Sequence, residues 1–150
     1  MNTTDAPLGT AEPAAEAAAP HRCHVLIVDD TGASRVLLAG ILRSFGGNLQ
    51  LHECRNGADA LAVWPQLNPH ITLLDIDMPG MDGLAVLKKI RGLRADAFVA
   101  MVSAGSALEN VRSALSLGAS GYVVKPYKSQ RILDLLHKYR SVSGVDILKP

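Results

Sequence analysis

The chain has 150 residues, 48% of them hydrophobic and 19% charged, with a formal net charge of +1. That is enough chain for one domain with a sizeable core, and the balance is that of a globular protein. No Lys/Arg block suits phosphate neutralisation along DNA, and no apolar run approaches the ~18 residues of a membrane span.

Residues 1–21 are Ala/Pro-rich, interrupted by Glu, and lack the basic start and unbroken apolar stretch of a secretory signal. They read as a disordered tail, and the protein as cytoplasmic. From residue 22 short apolar runs alternate with amphipathic segments. CHVLIV (23–28) reads as a buried strand. The following segment, 33–45, places Leu37, Leu38, Ile41, Leu42 and Phe45 on one helical face and stops at Gly46-Gly47. LQLHEC (49–54) is a second strand, and a helix from about Ala58 should end or kink at Pro65. ITLLD (71–75) is the third strand, and Gly83 opens a helix with Leu84, Leu87 and Ile90 at core spacing. FVAMVS (98–103) is the fourth; Ser106 and Glu109 have the form of a capping box heading a helix that ends at Leu117-Gly118. GYVV (121–124) is the fifth, and Ser129 is expected to cap a last helix carrying Ile132, Leu135, Leu136 and Tyr139. Residues 22–140 thus form one domain, and 141–150 read as a loosely held tail.

Continuous apolar strands alternating with helices imply an α/β protein with a parallel sheet covered on both faces. In such folds ligands bind beyond the carboxyl ends of the strands, where the strand order reverses. Those ends are unusual here. The first strand runs into Asp29-Asp30, the third ends in Asp75 with Asp77 close behind, the fourth ends in Ser103, and the fifth meets Lys125-Pro126. Each residue alone is ordinary: an Asp or Ser caps a turn, and a Lys is solvated. Were the strand order 2-1-3-4-5, all of them would share one edge. Clustered carboxylates repel and call for a cation, and a partly open set of oxygen donors suits Mg²⁺. A carboxylate beside that ion is a competent nucleophile toward phosphorus, with an ammonium and a hydroxyl to neutralise the phosphoryl oxygens.

The set VLIVDD, LLDIDMPGMDG, MVSA and GASGYVVKPY resembles the receiver domain of two-component response regulators, most closely the single-domain chemotaxis type, over residues 23 to 140. The resemblance implies a flavodoxin-like, doubly wound five-stranded parallel sheet in the order 2-1-3-4-5 with five helices. It implies that Asp75 is the phospho-acceptor, Asp30 a direct Mg²⁺ ligand, Asp29 a ligand largely through water, and Asp77 a ligand through its backbone carbonyl. It makes Ser103 the switch hydroxyl, Lys125 the phosphoryl-binding lysine, Tyr122 the switch aromatic and Lys125-Pro126 a cis peptide. The implied donor is a histidine kinase or phosphotransfer protein, and the output a protein partner on the helix 4–strand 5–helix 5 face, with no nucleic acid and no membrane. The chain departs from the pattern at Ser103, where Thr is commoner, at Tyr127, where Phe is common, at Asp77, where chemotaxis receivers often carry Asn, and at Gly105, which offers no side chain. Asp77 is expected to project toward the mouth of the site, where its charge would oppose an anionic donor.

Three other readings compete with this one. A haloacid-dehalogenase-type phosphohydrolase also places D-x-D after a strand, but Pro79 stands where that motif has Thr or Val, and its acidic pair comes last. An FMN carrier wants a phosphate-cradling loop where this chain has Asp29-Asp30. A receiver-like module that no longer takes phosphate would not need all of these groups. Cys23 and Cys54 lack metal-motif spacing and fit a reducing compartment.

Overall fold

A computed structural model describes residues 22–105 and 108–148. Its elements are β1 (Cys23–Val28), α1 (Gly32–Ser44), β2 (Leu49–Cys54), α2 (Gly57–Leu67), β3 (Ile71–Asp75), α3 (Gly83–Leu93), β4 (Val99–Ser103), α4 (Leu108–Ser116), β5 (Gly121–Val124) and α5 (Ser129–Ser143). The five strands form one sheet in the order β2-β1-β3-β4-β5. All pairings are parallel, with Val28 opposite both Cys54 and Leu74, Asp75 opposite Val102, and Ser103 opposite Val124.

The pleat sends alternate residues to opposite faces, and each face has its own core. Val25, Ile27, Leu73 and Val102 pack beneath Leu38 and Leu42 of α1 and Ile132 and Leu136 of α5. Leu26, Val28, Leu74 and Met101 pack beneath Trp64 of α2 and Val86, Leu87 and Ile90 of α3. With both faces covered, β1, β3 and β4 are buried almost throughout, which is why they read as unbroken apolar runs. The chain leaves β1 toward β2 on one side and crosses back to β3 on the other. The strand order therefore reverses between β1 and β3, opening a crevice at their carboxyl ends.

Several local expectations are corrected. Pro65 does not end its helix: α2 continues to Leu67 and closes on Asn68 in the left-handed conformation, whose N–H donates to the Trp64 carbonyl at 2.8 Å. Trp64 is buried beside the proline and its indole N–H donates to Thr72 Oγ1 at 3.1 Å, so tertiary packing holds the last turn. Leu37 is 52% exposed, because the buried stripe of α1 is centred on Leu38, Ala39 and Leu42. Ser129 is the first residue inside α5 and not its cap. Lys128 holds the cap position, and its carbonyl receives the N–H groups of Arg131 and Ile132.

The segment after residue 140 is not loose in its described part. α5 runs to Ser143, and Ile147 is 3% exposed in the α1–α5 core. The turn at Gly47 (φ +82°) lies so close to it that a Cβ there would fall 2.5 Å from the Ile147 carbonyl oxygen. Ser106, the expected capping residue, and residues 1–21 lie outside the described residues.

Candidate functional site

The carboxyl ends of four strands meet at the crevice. Asp29 and Asp30 follow β1, Asp75 is the last residue of β3, Ser103 the last of β4, and Lys125 directly follows β5. Asp29, Asp75 and Ser103 are buried, while Asp30 is exposed. One carboxylate oxygen from each of Asp29, Asp30 and Asp75 lies within 4.8 Å of the others.

Among the described residues, the ion pairs that reach this cluster come from Lys125. Its Nζ is 2.9 Å from Asp29 Oδ2 and 3.4 Å from Asp75 Oδ2. The lysine is aimed there by its backbone: its N–H donates to the Ser103 carbonyl at 2.8 Å, and the Lys125-Pro126 peptide is cis. Burial pushes the Asp75 pKa above the ordinary value; the charge of Lys125 pulls it down, Asp29 pushes it up, and the Asp77 N–H and the Lys125 hydrogen bond lower it again. Burial alone would lower the pKa of Lys125, but the hydrogen bond to Asp29 and the charges of Asp75 and Asp29 reverse this and leave it raised.

Asp29 is fixed at both ends. Its Oδ1 accepts from the Thr31 N–H at 2.9 Å, and its backbone carbonyl accepts from Arg35 Nη1 at 2.7 Å. Asp30 has the more open carboxylate of the two. With three carboxylates and one ammonium the pocket carries an excess of negative charge over hard oxygen donors, a set that fits a divalent ion of the Mg²⁺ kind.

The loop after β3 is built to leave the site open. Ile76 N–H donates to the Val102 carbonyl at 2.9 Å, and Gly83 N–H returns to the Ile76 carbonyl at 2.9 Å. Gly80 turns with φ +81°, and Asp82 caps α3 by accepting from the Ala85 N–H at 2.9 Å. A Cβ on Gly83 would lie 2.1 Å from the Asp75 carbonyl oxygen, so only glycine lets α3 start this close to the strand.

Asp77 is exposed, and its N–H donates to Asp75 Oδ1 at 3.2 Å. Its side chain is not idle: Ser103 Oγ donates to Asp77 Oδ2 at 3.1 Å. The same Oγ accepts from the Gly105 N–H at 3.0 Å, and the Gly105 carbonyl accepts from the Tyr122 hydroxyl at 3.0 Å. The structure thus brings Asp29, Asp30, Asp75 and Lys125 into one cluster and ties Ser103 and Tyr122 to it through Asp77 and Gly105. Arg35 was missed from sequence, and Tyr127 was noted only as a departure from the family pattern. Arg35 spans the Asp29 carbonyl and Glu53, with Nε 3.1 Å from Glu53 Oε1. Tyr127 faces the same carboxylates: burial drives its pKa well up, and Asp29 and Asp75 drive it further.

A parallel doubly wound domain with acids after its first and third strands and a lysine after its fifth has the architecture of a phosphoryl-accepting signalling domain. The response regulator receiver domain model matches residues 25–137, and the chain belongs to that family, a part of two-component systems. It is 35% identical over 114 residues to the chemotaxis protein CheY of Bacillus subtilis, covering 76% of this chain and 94% of that protein. It is 32% identical over 115 residues to sporulation initiation phosphotransferase F of the same organism, covering 77% and 91%. Among solved structures, the CheX–CheY–BeF3–Mg complex from Borrelia burgdorferi matches with a TM-score of 0.70 and 33% identity, over 80% of this chain and 88% of that one.

Proposed function

We propose that Asp75 accepts a phosphoryl group from a histidine kinase or phosphotransfer protein, and that this covalent mark switches a protein-binding surface. The observation that carries the reading is the buried Asp75 carboxylate at the sheet's reversal point, within 4.8 Å of Asp29 and Asp30 and paired with Lys125. An Asp75 oxygen attacks phosphorus, the bond from phosphorus to the donor's imidazole nitrogen breaks, and the nitrogen keeps the electron pair. Asp29, Asp30, Asp75 and the Asp77 backbone carbonyl would hold Mg²⁺, which would supply neutralisation of the phosphoryl oxygens. Lys125 serves first as counter-charge to Asp75, keeping it an anionic nucleophile against its burial, and then as partner of a phosphoryl oxygen.

Ser103 then donates its hydroxyl to the phosphoryl group. Gly105, hydrogen-bonded to Ser103, moves with it, and Tyr122, hydrogen-bonded to Gly105, follows. The affected face is that of α4, β5 and α5. It exposes Val124, which with Tyr122, Lys125, Lys128 and Arg131 lines a groove of about 390 Å³. That combination suits a partner segment with apolar and acidic residues. Phosphate biases an existing equilibrium only by its differential interaction with the two states. No described helix is long and apolar enough to cross a membrane, and the cytoplasm, where histidine kinases present their phosphoryl group, is the proposed location.

The test is labelling by a small acyl phosphate with Mg²⁺ and no kinase. The wild-type chain should gain the mass of one phosphoryl group and Asp75→Asn should gain none. Labelling that persists in Asp75→Asn, or is absent from wild type, refutes the assignment.

A further inference from the structure

We infer that Asp77 is a positioning residue that holds the Ser103 hydroxyl away from the phosphoryl site until phosphate arrives. This rests on the reading of Asp75 above and deepens it. A serine hydroxyl has one hydrogen to give and two lone pairs to receive with. In this structure a lone pair of Ser103 Oγ is taken by the Gly105 N–H at 3.0 Å, and the hydrogen goes to Asp77 Oδ2 at 3.1 Å. Donation to a phosphoryl oxygen on Asp75 requires that same hydrogen. The two acceptors exclude each other.

The loop geometry makes the competition intrinsic to the site. Asp77 N–H is tied to Asp75 Oδ1 at 3.2 Å, so the carboxylate that holds Ser103 is anchored to the group that would be phosphorylated. Ser103 is wholly buried at the end of β4, so its hydroxyl cannot fall back on bulk water when it leaves Asp77. The chain Asp77–Ser103–Gly105–Tyr122 therefore links the mouth of the site to β5, and holding Ser103 also holds Tyr122. An anionic acceptor grips a hydroxyl more strongly than a neutral one. Asn at 77 would keep an acceptor oxygen but weaken the hold, and Ala would release it.

A charge at residue 77 also repels an anionic donor whether or not Ser103 is present, so the experiment must separate the two. Labelling rates by a small acyl phosphate at saturating Mg²⁺ are compared for wild type, Asp77→Asn, Asp77→Ala, Ser103→Ala and Asp77→Ala/Ser103→Ala. Asp77→Ala should label roughly tenfold or more faster than wild type, the range expected for freeing one hydrogen bond to a charged acceptor. Asp77→Asn should gain less. In the Ser103→Ala background the same Asp77→Ala change should have no effect, because no hydroxyl remains to release. An equal gain with and without the Ser103 hydroxyl would overturn the inference in favour of charge repulsion. No gain, or a slower rate with weakened Mg²⁺ binding, would overturn it in favour of a side chain that is solvated or holds the metal. A wild-type chain that does not label at all instead refutes phosphorylation of Asp75 itself.

Discussion

Replacing Lys125 with methionine keeps the length and apolar stem of the side chain and removes its charge. At 2.9 and 3.4 Å from Asp29 and Asp75, the ammonium has two attractions of about 1.3 kcal/mol each in a water-like medium, and about 5 at an effective dielectric constant of ~20. Those are gross values, since the ammonium regains solvation on unfolding. Breaking one side of a buried pair costs a net ~3–5 kcal/mol. Two features lower the figure. The Lys125 side chain is 20% exposed, so water already screens it. The variant also has an escape, because it can protonate Asp75. For an ordinary carboxylate that costs about 4 kcal/mol at pH 7, and less here because burial already raises the Asp75 pKa. The expected loss is therefore about 2–3 kcal/mol at pH 7 without Mg²⁺. Its sign with pH follows from linkage. In the variant the folded pKa of Asp75 rises further, so the folded state binds a proton that the unfolded chain does not. The deficit is then small at low pH and grows as pH rises from the wild-type folded pKa of Asp75, itself above the ordinary value, through the further-raised one of the variant. Urea denaturation of both proteins between pH 4 and pH 8 measures the difference, and added Mg²⁺ should recover part of it. An equal deficit at pH 4.5 and pH 7.5 would refute the reasoning and assign the loss to packing of the lysine stem.

Three further outcomes are expected. Gly83→Ala should cost about 3 kcal/mol or more in chemical denaturation and impair Mg²⁺ binding, because its Cβ would meet the backbone of Asp75 and Ile76, which cannot give way like a side chain. Mg²⁺ affinity, followed by calorimetry, should fall further in Asp30→Ala than in Asp29→Ala. Asp30 has the open carboxylate, whereas both oxygens of Asp29 are engaged by Thr31 and Lys125; equal losses would contradict that ranking. Cys23 and Cys54 should stay thiols in the intact chain under air. Cys23 pairs with Leu49 while Cys54 pairs with Val28, an offset of roughly 16 Å, beyond any disulfide's reach, and burial pushes the Cys23 pKa to about 12. A non-reducing monomer mass two units low would disprove the register.

The strands and their punctuation were legible because their physics is local. A strand covered on both faces must be apolar throughout, so CHVLIV and ITLLD announce their own ends, and the first polar residues after them fall at the carboxyl edge of the sheet. The sequence by itself therefore determined the parallel α/β class and placed Asp29, Asp30, Asp75, Ser103 and Lys125 on one rim, once the strand order was supplied by resemblance. It could not determine which of these groups touch. Lys125 meets Asp29 across 96 residues of chain, and no spacing rule reaches that far. The tertiary structure also decided matters where two local readings compete. Leu37 fits the apolar stripe of α1 by periodicity, yet only the position of the sheet decides which edge of the stripe stays in water. Pro65 should end or kink a helix, yet α2 runs through it to Leu67, with Trp64 packed in the core beside it. Val145 and Ile147 look alike in a polar tail, and only the packing of Ile147 into the α1–α5 core buries one and leaves the other exposed. The same holds for Asp77. Its charge could be read from the sequence, but its grip on Ser103 comes from the sheet, which sets the loop after β3 beside the end of β4. A hydrogen bond depends on tenths of an ångström between groups that the chain itself keeps 26 residues apart.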